Sequence, residues 1–146
     1  MPASPAVTRG RAAPLLALAL AVTVAACGDG RTFTASEFVD RINHEGVTIK
    51  LGRELPTSGG AEHLYGVALP PLPGEPPPPP GSEGGPGSSG SLYVFGDSGA
   101  AGHQLDACRH SGGLLCFQAE NIVVVLDEEG SPIESRRLAA AIKKLP

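Results

Sequence analysis

Three cysteines, Cys27, Cys108 and Cys116, are the side chains of this 146-residue chain best suited to covalent chemistry, and their spacing limits what that chemistry can be. Cys108 and Cys116 stand eight positions apart, which is neither the C-x-x-C of a redox-active helix start nor that of a zinc knuckle. His103, Asp106 and His110 form a second group. At 100° per residue they fall within about 60° of one another, so a helix here carries two imidazoles and a carboxylate on one face. With help from His44 or His63, such a set has the donor types of a metal site. Histidines at i and i+7, however, stand about 10 Å apart along a helix, too far for one ion unless the chain folds back. A solvated face is expected, with no metal and no cofactor. The third group is basic: Arg136, Lys143 and Lys144 share a polar arc of a C-terminal helix, with Arg137 at its edge. Such an arc is ordinarily the wet side of an amphipathic helix; beside anionic lipid, each cation would add about 1 kcal/mol of attraction.

What precedes Cys27 decides how that thiol is read. Arg9 and Arg11 lead into a fifteen-residue apolar run, Ala12 to Ala26. A helix that crosses a bilayer takes about 20 apolar residues, so the layout is that of a secretory signal peptide rather than a span. Its end, Val24-Ala25-Ala26-Cys27, resembles the lipobox of bacterial lipoproteins, with Val24 where Leu is usual. The resemblance covers residues 1–27. It implies cleavage before Cys27, a diacylglyceryl group on its thiol, and a lipid anchor on the extracytoplasmic face of the cell membrane. With Cys27 lipidated, Cys108 and Cys116 remain as an even pair in an oxidising compartment, where a structural disulfide is expected. An ordinary cleaved signal and an uncleaved anchor are the alternatives.

Gly96-Asp97-Ser98-Gly99 resembles the nucleophile segment of chymotrypsin-like serine proteases, GDSGG, with Ala100 in place of the final glycine. A triad also needs a histidine and an aspartate brought to the serine by a scaffold. Nothing in the chain resembles that family's histidine motif, and the chain is too short for its two barrels. A strand-to-helix turn capped by Asp97 or Ser98 accounts for the same letters. No catalytic residue is expected.

The elements that must carry these groups are legible in the hydrophobic pattern. Thr34 and Glu37 have the spacing of a capping box, Phe33 and Phe38 that of a hydrophobic staple, and Ala35, Phe38, Val39 and Ile42 share one helical face that Gly46 closes. Val47, Ile49 and Leu51 alternate as in a half-buried strand, and His63 to Leu69 is a second. Pro70 to Gly90 is almost wholly Pro, Gly, Ser and Glu, which cannot bury enough apolar surface to offset its ordering, and is expected to be a disordered loop. Leu92 to Phe95 is a strand, residues 98–109 a helix with Ala101, Leu105 and Cys108 inward, and Leu114 to Gln118 a further strand. Ile122 to Leu126, five apolar residues in a row, suggests a strand buried on both faces. Ser131 and Glu134 form a second capping box, with Pro132 at the first helical position.

This order predicts an α+β domain, a mainly antiparallel sheet of about five strands with three helices, over residues 33–146. Residues 1–26 are expected to be the lipoprotein signal peptide and residues 27–32 a lipidated tether. After cleavage nine basic and 15 acidic residues remain, a net charge of −6. So acidic a chain is unsuited to the phosphates of nucleic acid. One tension points outward: if Cys116 faces Cys108, then Leu115 and Phe117 face the opposite way, where they need a cover, be it another helix, a partner protein or a second copy. The leading expectation is therefore a non-enzymatic, membrane-tethered interaction or accessory domain of the bacterial cell envelope. A small ligand-binding lipoprotein is the alternative and a hydrolase the third.

Overall fold

The computed structural model describes residues 30–57, 59–74, 88–128 and 132–145. The expected signal peptide, Cys27 and the expected cap at Ser131 lie outside them, as do residues 75–87 of the expected loop. In chain order the elements are α1 (Ala35–His44), β1 (Lys50–Leu55), β2 (His63–Leu69), β3 (Ser88–Val94), α2 (Ser98–Ser111), β4 (Leu114–Ala119), β5 (Ile122–Asp127) and α3 (Pro132–Ile142). The strands form one five-stranded sheet, ordered β1-β2-β3-β5-β4, with every neighbouring pair antiparallel. This is the single α+β domain that the pattern predicts. Two hairpins, β1-β2 and β5-β4, thus flank β3 at the centre.

α1 begins where its two signals place it. The Thr34 hydroxyl accepts from the Glu37 backbone N–H at 3.2 Å, and the Glu37 carboxylate accepts from the Thr34 N–H at 3.0 Å. Phe33 and Phe38 are both buried, and Ala35, Phe38, Val39 and Ile42 are the buried face. These residues meet Val67, Leu69, Leu92, Ile122, Val124 and Leu126 from the sheet and Leu138 and Ala141 from α3 in one apolar cluster. Leu115 and Phe117 pack against the same cluster. The cover they need is therefore supplied by the chain's own α1 and α3, the helix cover among those the pattern allows. α3 packs across β4.

The opposite face is thinner. α2 packs on β4 and β5, and beneath it only Phe95, Ala101 and Val123 form a fully buried group, with Tyr93, Val125, Ala61 and Ala100 partly buried around them. Cys108 near the end of α2 is joined to Cys116 of β4, with their Cα atoms 6.2 Å apart. Gly112 follows at φ 65°, a left-handed conformation that a side chain resists and that turns the chain from helix into β4.

Two strand boundaries differ from the pattern. Val47 and Ile49 are buried as their alternation suggests, but they belong to the connection after α1, and pairing begins only at Lys50 opposite Ala68. At the other end, β3 starts at Ser88, so Ser88, Ser89 and Gly90 belong to the sheet and not to the loop. Composition hides this because those residues are small and polar. The position at Gly90 is forced by closeness: a Cβ there would overlap the Val125 carbonyl and sit 2.9 Å from a Leu126 methyl.

Candidate functional site

The most built-up polar arrangement lies where the chain joins the fold. Asn121, in the β4–β5 turn, is 2% exposed. Its Oδ1 accepts from the Phe33 N–H at 2.6 Å, while its Nδ2 donates to the Phe33 carbonyl at 3.1 Å and the Phe95 carbonyl at 2.9 Å. One side chain thereby presents to Phe33 the donor and acceptor that a neighbouring strand would present. The Arg41 guanidinium lies 5.3 Å from the centre of the Phe33 ring, within cation–π range. The turn is tight because Glu120 takes φ 50°. Gln118 reinforces it by donating to the Glu120 carbonyl at 2.9 Å and to the Ser98 carbonyl at 3.0 Å.

Beside this clamp opens a cleft of about 380 Å³, with Asn121 and Phe95 in its lining, Glu62 just before β2, and His63 and Tyr65 on it. His63 Nδ1 is 2.7 Å from Glu54 Oε1 on the adjoining strand, both side chains being 53% exposed. The His63 and Tyr65 rings stack at 6.2 Å. The Thr34 Oγ1 in the cleft lining is engaged with Glu37 as both donor and acceptor. Those same bonds, first from the Thr34 backbone and then from its hydroxyl, hold the Glu37 carboxyl below its ordinary value, and Arg41 adds to the effect. The cleft therefore presents an aromatic wall with an imidazole and a carboxylate in its lining.

Other sequence-singled residues fall elsewhere. Asp97 is the N-cap of α2, accepting from the Ala100 N–H at 2.8 Å, and Ser98 is the first residue of the helix, so the Gly96-Asp97-Ser98-Gly99 letters encode a strand-to-helix turn. His103, Asp106 and His110 are exposed on α2. The His110 Nδ1 lies 2.6 Å from the Asp106 carbonyl oxygen, which folds that imidazole onto its own helix. Among the described residues no three His, Cys, Asp or Glu side chains converge on a common point.

The basic arc is partly occupied. Lys144 Nζ is 2.9 Å from Glu45 at the C-terminal end of α1. Arg137 donates to the Gly46 carbonyl at 2.7 Å and stands 3.7 Å from the buried Glu134. Arg136 donates to the Pro132 carbonyl at 3.1 Å, and Lys143 is exposed. The contacts of Lys144 and Arg137 thus lie at the far end of α1 from Phe33, a helix of ten residues and so about 15 Å away. Among the described residues no helix is long and apolar enough to cross a membrane.

Asn121 and the His63–Glu54 pair carry no motif. The one available signal for Asn121 was its position, a polar residue abutting the most apolar strand of the chain. By its fold this is an α+β domain with a five-stranded antiparallel sheet helix-covered on both faces. No family model, no curated protein and no solved structure matches the chain.

Proposed function

We propose that this protein is a bacterial lipoprotein of the cell envelope, anchored through lipid on Cys27 and carrying a non-enzymatic interaction or accessory domain on the extracytoplasmic side of the membrane. The observation that carries the reading is the Asn121 clamp on Phe33. It fixes the first buried residue of the domain six positions after Cys27. The intervening residues, Gly28 to Thr32, reach at most roughly 17 Å when extended. A domain so held meets what shares the membrane surface at a raised effective concentration, so modest contacts suffice for association. The signal-peptide layout and the lipobox resemblance support the anchor, and two acyl chains, at about 0.8 kcal/mol per buried methylene, make it stable.

A second reading, a small ligand-binding lipoprotein, is favoured by the cleft beside the clamp, whose volume of about 380 Å³ lies within the range of small-molecule sites. The two readings share the anchor and differ in what the domain meets.

Fractionation of cells that express the full chain tests the anchor. The wild type is expected in the membrane fraction, resistant to high salt and released by detergent, and Cys27→Ser in the soluble extracytoplasmic fraction or as uncleaved precursor. A mature Cys27→Ser protein that stayed detergent-extractable would remove the lipid from the account.

A further inference from the structure

α2 is the element whose place in the fold is least secured by its own surface. Over 14 residues it buries only Ala101 and Cys108, whereas the ten residues of α1 bury Ala35, Phe38, Val39 and Ile42. Leu105, its one large aliphatic residue, is half-buried. Gly99 and Gly102 lie within its first turns, and each lowers helix stability by about 1 kcal/mol relative to alanine. Alanine burial removes little area from water, so α2's own side chains contribute little to its seating, and the larger apolar area there belongs to Tyr93, Phe95, Val123 and Val125 beneath it. At its N-terminal end the helix is held by the Asp97 cap and the Gln118 bond to the Ser98 carbonyl. At its C-terminal end it is held by the Cys108–Cys116 bond, which closes a loop of sequence separation 8.

We propose that this disulfide is a redox-conditional lock: α2 seats on β4 and β5 only when Cys108 and Cys116 are oxidised, while α1, α3 and the sheet hold without it. In the dithiol form α2 leaves the sheet about a hinge at Asp97, and the face formed by Tyr93, Phe95, Val123 and Val125 opens to solvent. The chemistry is thiol–disulfide exchange. To unlock, a thiolate of a dithiol reductant attacks one of the two sulfurs and forms a mixed disulfide, releasing the other as a thiol. The second thiol of the reductant then displaces the remaining cysteine, so the reductant ends as a disulfide and two electrons and two protons end on Cys108 and Cys116. Locking is the reverse, driven by a disulfide oxidant. The chain would thus complete its last docking step only in an oxidising compartment.

Hydrogen–deuterium exchange read by mass spectrometry on the detergent-solubilised full chain tests the lock, comparing oxidised protein, protein reduced with dithiothreitol, and reoxidised protein. Reduction is expected to lower amide protection across residues 99–111 by about 100-fold, with protection of α1 and β5 changed by no more than a few-fold, and reoxidation is expected to restore it. The Cys108→Ala/Cys116→Ala variant is expected to match the reduced pattern. Retained protection of α2 after reduction would overturn the proposal, and so would simultaneous loss of protection in α1, α2 and β5. Neither result depends on where the protein resides or on Cys27.

Discussion

On one face of the sheet α1 and α3 press Phe38, Ile42 and Leu138 onto Leu92, Ile122, Val124 and Leu126, all almost wholly buried. On the other, α2 seats Ala101 over Phe95 and Val123 and is tied down by a disulfide. The first face is held by area removed from water, a sum over many contacts and therefore cooperative. The second is held by a covalent link that acts mainly on the unfolded or undocked ensemble. A small domain can close a face either way, but only the second way makes closure depend on the surroundings.

The sharpest break between the faces should come from truncating their side chains. Phe38→Ala, at a position 0% exposed in the larger cluster, is expected to destabilise the oxidised protein by about 3 to 5 kcal/mol. Leu105→Ala, on the half-buried side of α2, is expected to lower stability by about 1 kcal/mol or less. Urea unfolding followed by circular dichroism measures both. Equal effects would mean that α2 contributes a core of its own, and the distinction between the faces would fall.

Asn121 tests the link between the two. Phe33 leads into α1 and Phe95 into α2, and Asn121 bonds to the backbone of both. The starts of helices on opposite faces are therefore fixed by one buried side chain. Asn121→Ala leaves one N–H and two carbonyls to find other partners, and should lower stability by about 2 to 3 kcal/mol. Exchange is expected to quicken at the first turns of both helices. Quickening at α1 alone would show that the bond to Phe95 does no coupling.

How much of this was written in the sequence depends on the kind of signal. α1 was legible because a capping box, a staple and an apolar stripe agree, and β2 because its run is bounded by turn residues. The burial of β5 on both faces followed from Ile122 to Leu126. β1 was misplaced because alternation reports burial and not pairing: Val47 and Ile49 are buried, but Asn43 takes the place of a strand partner there, accepting from the Ile49 N–H at 2.8 Å and donating to its carbonyl at 3.2 Å. The start of β3 was hidden by glycine and serine, whose smallness is what the approach of β5 requires at Gly90. The role of Asn121 is not legible in the sequence, since it rests on bonds to residues 88 and 26 positions away. The pairing of Cys108 with Cys116 is legible only once the lipobox resemblance sets Cys27 aside, because a spacing of eight does not by itself specify a bond.

The smallest expected effect sits at the N-terminus of α1 and concerns pH. The Glu37 carboxyl is fully exposed and held below its ordinary value of 4.5 by the bonds from Thr34. A carboxyl lowered on folding contributes stability above its unfolded value, and that contribution is lost as pH falls through the folded one. The wild type should therefore exceed Glu37→Gln in melting temperature at neutral pH, with the gap narrowing as pH drops through the carboxylate range. Because glutamine can still accept from the Thr34 N–H, the gap reports the charge rather than the cap itself. Melting curves of both proteins across that range measure it. A gap that did not narrow in acid would assign the effect to side-chain geometry and not to the carboxylate's charge.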